Sequence, residues 1–188
     1  MINIAIFISG KGSNATRMIE TFAEHNRIKV ACLISSKPNQ EVSALCKKSD
    51  IDFIETNWAL DEELILSVLR RHSVEWLVLA GFLKKIPGAM IQDFPNRIIN
   101  IHPSLLPKFG GKGMYGMHVH KAVIEAREKE SGISIHYVNE EYDQGQIIEQ
   151  VKFKIADGED AESLFHRIRK LEAKHFNRIV ESEILKKG

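Results

Sequence analysis

Short apolar runs rich in isoleucine, each followed by a stretch with helical spacing, constrain this chain more than any other feature. Residues 2–8, 28–34, 51–54, 76–80 and 97–101 read as strands, and isoleucine fills Ile2, Ile4, Ile6 and Ile8 of the first. Continuous apolar runs of this length suit strands buried on both faces. Residues 15–25, 41–48, 61–71 and a segment opened by Pro87 supply the intervening helices. Met18, Ile19 and Phe22 give the first helix its apolar face; Leu64, Leu66, Val68 and Leu69 supply the apolar contacts of the third. This alternation predicts an α/β fold: a doubly wound, mostly parallel, Rossmann-like sheet.

After a helix over 117–127 the pattern changes. Residues 132–138 alternate through Ile133, Ile135 and Tyr137, and 146–155 form a second strand of the same kind. An antiparallel strand is therefore expected near the C-terminal edge of the sheet. Residues 161–185 form one long helix with a stripe of Leu164, Ile168, Leu171, Phe176 and Ile179. At 188 residues the chain suits a single domain spanning 1–188.

Composition removes several classes of function. The 26 Lys and Arg residues nearly cancel the 25 Asp and Glu, so no broad basic field exists to draw in nucleic acid. No apolar run is long enough to span a bilayer, and residues 1–8 lack the basic start of a secretory leader. A cytoplasmic location follows as the expectation. Cys32 and Cys46 form no CxxC pair and read as buried free thiols.

In a doubly wound sheet, ligands sit beyond the carboxyl ends of the strands. There Gly10, Gly12, Ser13 and Asn14 lie between the first strand and a helix. The glycines permit close approach of backbone, and a helix N-terminus offers N–H groups to an anion, so the loop reads as a phosphate cradle. Its plainer reading is a tight turn with Ser13 or Asn14 as helix cap. The spacing also fits a loose dinucleotide fingerprint, which keeps an NADP-linked oxidoreductase as the rival. The second strand ends in Ser35, Ser36 and Lys37 instead of the acidic residue that a ribose of NAD requires; Lys37 suits a 2′-phosphate.

The loop after the fifth strand is more informative. Asn100 and His102 are two apart at a strand end and so project to the same side. An amide and an imidazole are suitable donors to a carbonyl oxygen that becomes an oxyanion, and Pro103 and Pro107 stiffen the segment that holds them. Asp143, in the run from Glu140 to Gly145, is the candidate carboxylate partner; beside His102 it is expected to raise the imidazole pKa. The plainer reading of Glu140, Glu141 and Asp143 is a solvated acidic turn.

Together these segments resemble the folate-dependent formyltransferases, over nearly the whole chain. The resemblance rests on residues 8–14, on Leu79-Ala80-Gly81-Phe82, on the specific run Asn100 to Pro107, and on Tyr142-Asp143 with Gly145. Within that family the Gly-Ser-Asn loop resembles the branch whose acceptor is glycinamide ribonucleotide. The resemblance implies transfer of the formyl group of 10-formyltetrahydrofolate, a co-substrate, to the acceptor amine in purine biosynthesis, with no metal. It leaves another amine acceptor as an alternative. It implies that residues 1–99 form a nucleotide-binding half and 100–188 a catalytic and folate-binding half. Gly12, Ser13, Asn14, Arg169, Lys170, Leu171 and Glu172 are implied for the ribonucleotide. Leu83, Lys84, Lys85, Ile86, Asn100, Asn139, Glu140, Glu141, Tyr142 and Asp143 are implied for the folate. Asn100, His102 and Asp143 are the implied catalytic set, His102 as proton donor. The implied partners are small molecules, with the protein a monomer or homodimer. Two departures stand out: Trp58 takes the place of a common folate-edge arginine, and residues 110–118 make a long, glycine-rich loop. His118 at its end and His120 just beyond are too few ligands for a metal.

Overall fold

Parity along the first strand shows how the sequence builds two cores at once. Successive strand residues point to opposite faces. In the computed structural model, which describes residues 1–187, the strand β1 (Ile2–Ile8) sends Ile2, Ile4, Ile6 and Ile8 to one face and Ala5 and Phe7 to the other. Its central residues, Ile4 to Ile8, are fully buried, and each such isoleucine contributes about 1.5–3 kcal/mol.

β1 is joined by β2 (Ile28–Ser35), β3 (Asp52–Glu55), β4 (Trp76–Leu79), β5 (Ile98–His102), β6 (Glu130–Tyr137) and β7 (Ile147–Lys154) in one sheet of order β3-β2-β1-β4-β5-β6-β7. The pairings from β3 through β5 are parallel, while β6 runs against both β5 and β7. The reversed strand expected near the C-terminal edge is thus β6. Helices α1 (Ser13–Phe22), α2 (Gln40–Lys48), α5 (Met117–Glu125) and α6 (Ala161–Lys187) supply Met18, Val42, Val119 and Phe176 to the core containing the β1 isoleucines. Helices α3 (Glu62–Arg71) and α4 (Gly88–Asp93) cover Phe7 on the other face with Ile65, Val68, Leu69 and Met90.

Two local expectations are corrected. In α3 the buried apolar residues are Ile65, Val68 and Leu69, while Leu64 is 50% exposed. Neighbouring helix positions differ by about 100°, so the run of three apolar residues Leu64-Ile65-Leu66 does not by itself say which one faces inward. In α1 neither Ser13 nor Asn14 caps the helix; Gly12 occupies the cap position at φ 73° with no side-chain bond. Cys32 and Cys46 are free and buried, and burial pushes their thiols up to about 12 and about 11, which keeps them inert.

Two buried serines hold the loops at the carboxyl ends of the central strands. Ser9 lies with its Oγ 2.6 Å from that of Ser36 and accepts a 3.0 Å bond from the Leu83 N–H, tying the ends of β1, β2 and β4 together. Ser134, fully buried in β6, donates to the Ser104 carbonyl (2.7 Å) and accepts from the Leu106 N–H (2.9 Å). The segment between Pro103 and Pro107 is therefore pinned to the sheet. On the opposite face of β6, the Tyr137 hydroxyl donates to the Glu183 carboxylate of α6, and Lys187 sits 4.1 Å from the Tyr137 ring.

Candidate active site

Asn100 and His102 share the parity of Ile98 along β5, and the antiparallel register sets His136 opposite Asn100 and Ser134 opposite His102. Asp143 approaches from the loop between β6 and β7. Its Oδ2 lies 3.4 Å from His102 Nδ1; its Oδ1 accepts from Asn100 Nδ2 at 3.4 Å and lies 3.6 Å from His136 Nε2. The three residues named from sequence are thus in one cluster, with His136 as a fourth member that sequence reasoning missed. A histidine in an otherwise apolar, alternating strand was the available signal.

The glycine-rich loop closes the cluster from the other side. The carbonyl of Phe109 accepts a 2.7 Å bond from His102 Nε2, and the Gly111 N–H donates to Asp143 Oδ2 at 2.9 Å. Phe109 and Asp143 both adopt left-handed backbone, φ 55° and 57°. For a bulky residue such as Phe109 this conformation costs about 1–2 kcal/mol, and here it aims the carbonyl at the imidazole.

Electrostatics correct one expectation. Burial is the largest influence on His102 and pushes its pKa below the ordinary value; Asp143 and the Phe109 carbonyl pull it upward without reversing the shift. His102 is 3% exposed, and an ionised ring is costly there. Its resting form is therefore neutral, with the proton on Nε2 and a bare Nδ1 turned toward Asp143. For Asp143 burial works upward, but the hydrogen bond from the Gly111 N–H and the polar groups gathered around the carboxylate outweigh it, so it lies below its ordinary pKa and stays charged.

This cluster opens into a cavity of about 990 Å³. Leu83, Lys84, Lys85, Ile86, Asn139, Glu140, Glu141 and Tyr142 line one part of it; Gly12, Ser13, Asn14, Arg169, Lys170 and Glu172 line another. Leu171 lies apart from the cavity and packs against the core. Arg169 donates to Ser13 Oγ (2.6 Å) and Asn14 to Glu172 Oε2 (3.0 Å), so α6 is bonded to the first-strand loop. Burial raises the Glu172 pKa, opposed by Asn14, Arg169 and Arg17. Arg17, one turn into α1, also lines the cavity and was missed by sequence reasoning. Where an arginine is common in the family it resembles, Trp58 donates from its ring N–H to the Lys85 carbonyl (2.9 Å) and meets Phe82 edge-on at 4.6 Å. It braces the 83–86 segment from behind.

His118 is exposed and His120 is 1% exposed, so the two do not share a face. Burial depresses His120 to about 4, with His102 adding to the shift. An unfolded histidine takes up a proton near pH 6.5, so the unfolded state binds more protons as pH falls below that value. Stability is then lost from about pH 6.5 down to about 4. Allowing for partial solvent screening, His120 should account for roughly 2 kcal/mol of acid destabilisation. Urea unfolding of His120→Leu at pH 7.5 and pH 4.5 should show a smaller drop between the two than the parent protein; an equal drop would assign the acid sensitivity elsewhere.

Comparison with known proteins gives a consistent result. The family described as formyl transferase matches residues 2–180. A chloroplastic phosphoribosylglycinamide formyltransferase of Arabidopsis thaliana is 37% identical over 94% of this chain, which spans 63% of that protein's own length. A phosphoribosylglycinamide formyltransferase of Bacillus subtilis is 34% identical, covering 96% of this chain and 94% of its own. Among solved structures, phosphoribosylglycinamide formyltransferase from Bacillus halodurans superposes with a TM-score of 0.85 at 30% identity, over 99% of this chain and 97% of the other.

Proposed function

Given that the chain belongs to the formyl transferase family, we propose that it transfers the formyl group of 10-formyltetrahydrofolate to the amine of glycinamide ribonucleotide. The observation that carries this reading is the convergence of Asn100, His102 and Asp143 at one cavity of about 990 Å³, which also reaches Ser13, Arg169 and residues 83–86. The uncapped N-terminus of α1, with Ser13, Arg169 and Arg17 beside it, suits the ribonucleotide phosphate. Glu172 suits a ribose hydroxyl. The part lined by residues 83–86 and 139–142 suits the folate.

Reaction proceeds by attack of the amine nitrogen on the formyl carbon. A C–N bond forms, and the carbonyl electron pair moves onto oxygen. Neutral His102 accepts the proton that the attacking nitrogen sheds, and the resulting imidazolium is held by Asp143 at Nδ1. The oxyanion is stabilised by an Asn100 N–H and by that imidazolium. Collapse breaks the bond to the folate nitrogen, which takes the proton from His102 and leaves as tetrahydrofolate. No covalent enzyme intermediate is required. Most of the rate enhancement comes from aligning the two reactants and fixing donors where charge develops. The protein acts as one domain in the cytosol, on small-molecule substrates.

The deciding experiment mixes purified protein with formyl-folate, with and without glycinamide ribonucleotide. Tetrahydrofolate should appear only when the acceptor is present; release without acceptor, or with an unrelated amine equally well, overturns the assignment. Arg169→Ala should raise the KM for the ribonucleotide about 10- to 100-fold, the worth of a charge-assisted bond, and leave that for folate within about twofold. An unchanged acceptor KM would remove Arg169 from the nucleotide site.

A further inference from the structure

The Asn100 amide must present hydrogen to a developing oxyanion, yet an amide side chain can turn over and present oxygen instead. Nothing on β5 alone decides which. The answer lies across the sheet. His136 Nδ1 is 2.8 Å from the carbonyl of Tyr137, an atom that can only accept, so Nδ1 bears hydrogen. In the neutral ring Nε2 is then bare. It lies 3.1 Å from Asn100 Nδ2 and accepts from it. The amide nitrogen also donates to Asp143 Oδ1 at 3.4 Å. With His136 Nε2 and Asp143 Oδ1 3.6 Å apart, the two acceptors stand roughly 70° apart as seen from Nδ2, close enough to share one N–H. The second N–H of Asn100 is left for the cleft.

We propose that His136 is a positioning residue for the reaction, its Nδ1–H tautomer fixing the Asn100 amide with nitrogen, not oxygen, at the reaction centre. The proposal rests on the formyl-transfer reading for its kinetic part only. Were Nε2 to carry hydrogen, it would oppose the amide N–H donor to donor, and the amide would turn its oxygen inward. The reaction centre would then face the oxyanion with a lone pair. The groups that share the space with the His136 ring are Asn100 and His102 from β5 and Asp143 from the loop after β6. The carbonyl of Tyr137 therefore sets a chain of three donors and acceptors that ends at the reacting oxygen.

Two variants and one spectrum test this. His136→Gln retains a carbonyl acceptor near the position of Nε2 and should keep kcat within about fivefold of the parent. His136→Leu removes the acceptor and should lower kcat about 100-fold, the cost of one lost oxyanion donor, with both KM values within about twofold. A long-range proton–nitrogen correlation spectrum of the labelled protein at neutral pH, without substrate, should show His136 protonated at Nδ1 alone. Protonation at Nε2, or at both nitrogens, overturns the proposal whatever the enzyme turns over. So does parent-like kcat in the Leu variant, or a Gln variant as slow as the Leu variant. If the parent protein transfers no formyl group, the reading of function fails while the spectrum still decides the tautomer.

Discussion

Asp143→Ala should fold and lose about 10³- to 10⁴-fold in kcat, the largest kinetic effect expected of any substitution in the chain. The carboxylate is the meeting point of the cluster: His102, Asn100, His136 and the Gly111 N–H all reach it. Its removal leaves the imidazolium without a counter-charge at the moment one forms, and frees the Phe109–Gly111 turn. A circular dichroism spectrum like the parent's, together with single-turnover kinetics, separates a chemical defect from an unfolded protein. Parent-like turnover would remove Asp143 from the mechanism. The same arrangement fixes the direction of the pH dependence. His102 must start neutral to take a proton, and burial holds its pKa below the ordinary value. The rate should therefore be level at neutral pH and fall only on the acid side, below the ordinary histidine range; a maximum on the acid side would contradict a neutral starting ring.

The second large effect belongs to Gly145. A Cβ added there would collide with the backbone carbonyl of Tyr137, and backbone cannot swing aside as a long side chain can. The neighbouring bond from the Tyr137 N–H to the Gln146 carbonyl, 2.9 Å, closes the base of the loop that presents Asp143. Gly145→Ala should lose about 3 kcal/mol of stability and most of the activity together, since the loop base must open to admit the methyl group. Urea unfolding at neutral pH measures the first loss. A variant as stable as the parent would mean that the loop base yields without cost.

Much of this architecture was legible in the sequence because burial on both faces leaves its mark on composition. The isoleucines of β1 and the apolar Trp76 to Leu79 could hardly be anything but central strands. The reversal at β6 was legible from the alternation of Ile133, Ile135 and Tyr137. What the sequence withheld was mostly relational. Leu64 and Ile65 are adjacent and equally apolar, so only the docking of α3 decides between them. The part of His136 depends on the register between two strands 36 residues apart, and no local pattern encodes that number. The pKa of His102 was misjudged because a carboxylate can be read from the chain and the depth of burial cannot. The cap of α1 was misjudged because Gly12, which has no side chain to accept an N–H, takes the cap position in left-handed backbone. Asn100, His102 and Asp143 were singled out as a candidate catalytic set through family resemblance, and the residues alone left the acidic turn as the plainer reading.

Helix α6 has a consequence for which molecules can react. It runs for 27 residues, about 40 Å; Arg169 and Glu172, just short of its midpoint, bond Ser13 and Asn14, and Glu183, toward its C-terminal end, bonds Tyr137, next to His136. One continuous helix thus fixes the separation between the proposed anion cradle and the strand that bears His136. An acceptor one methylene longer than the fitting one would carry its nitrogen about 1 Å past the formyl carbon, a misplacement worth about 100-fold in rate. Selection of the acceptor is then a matter of measured length as much as of chemical recognition.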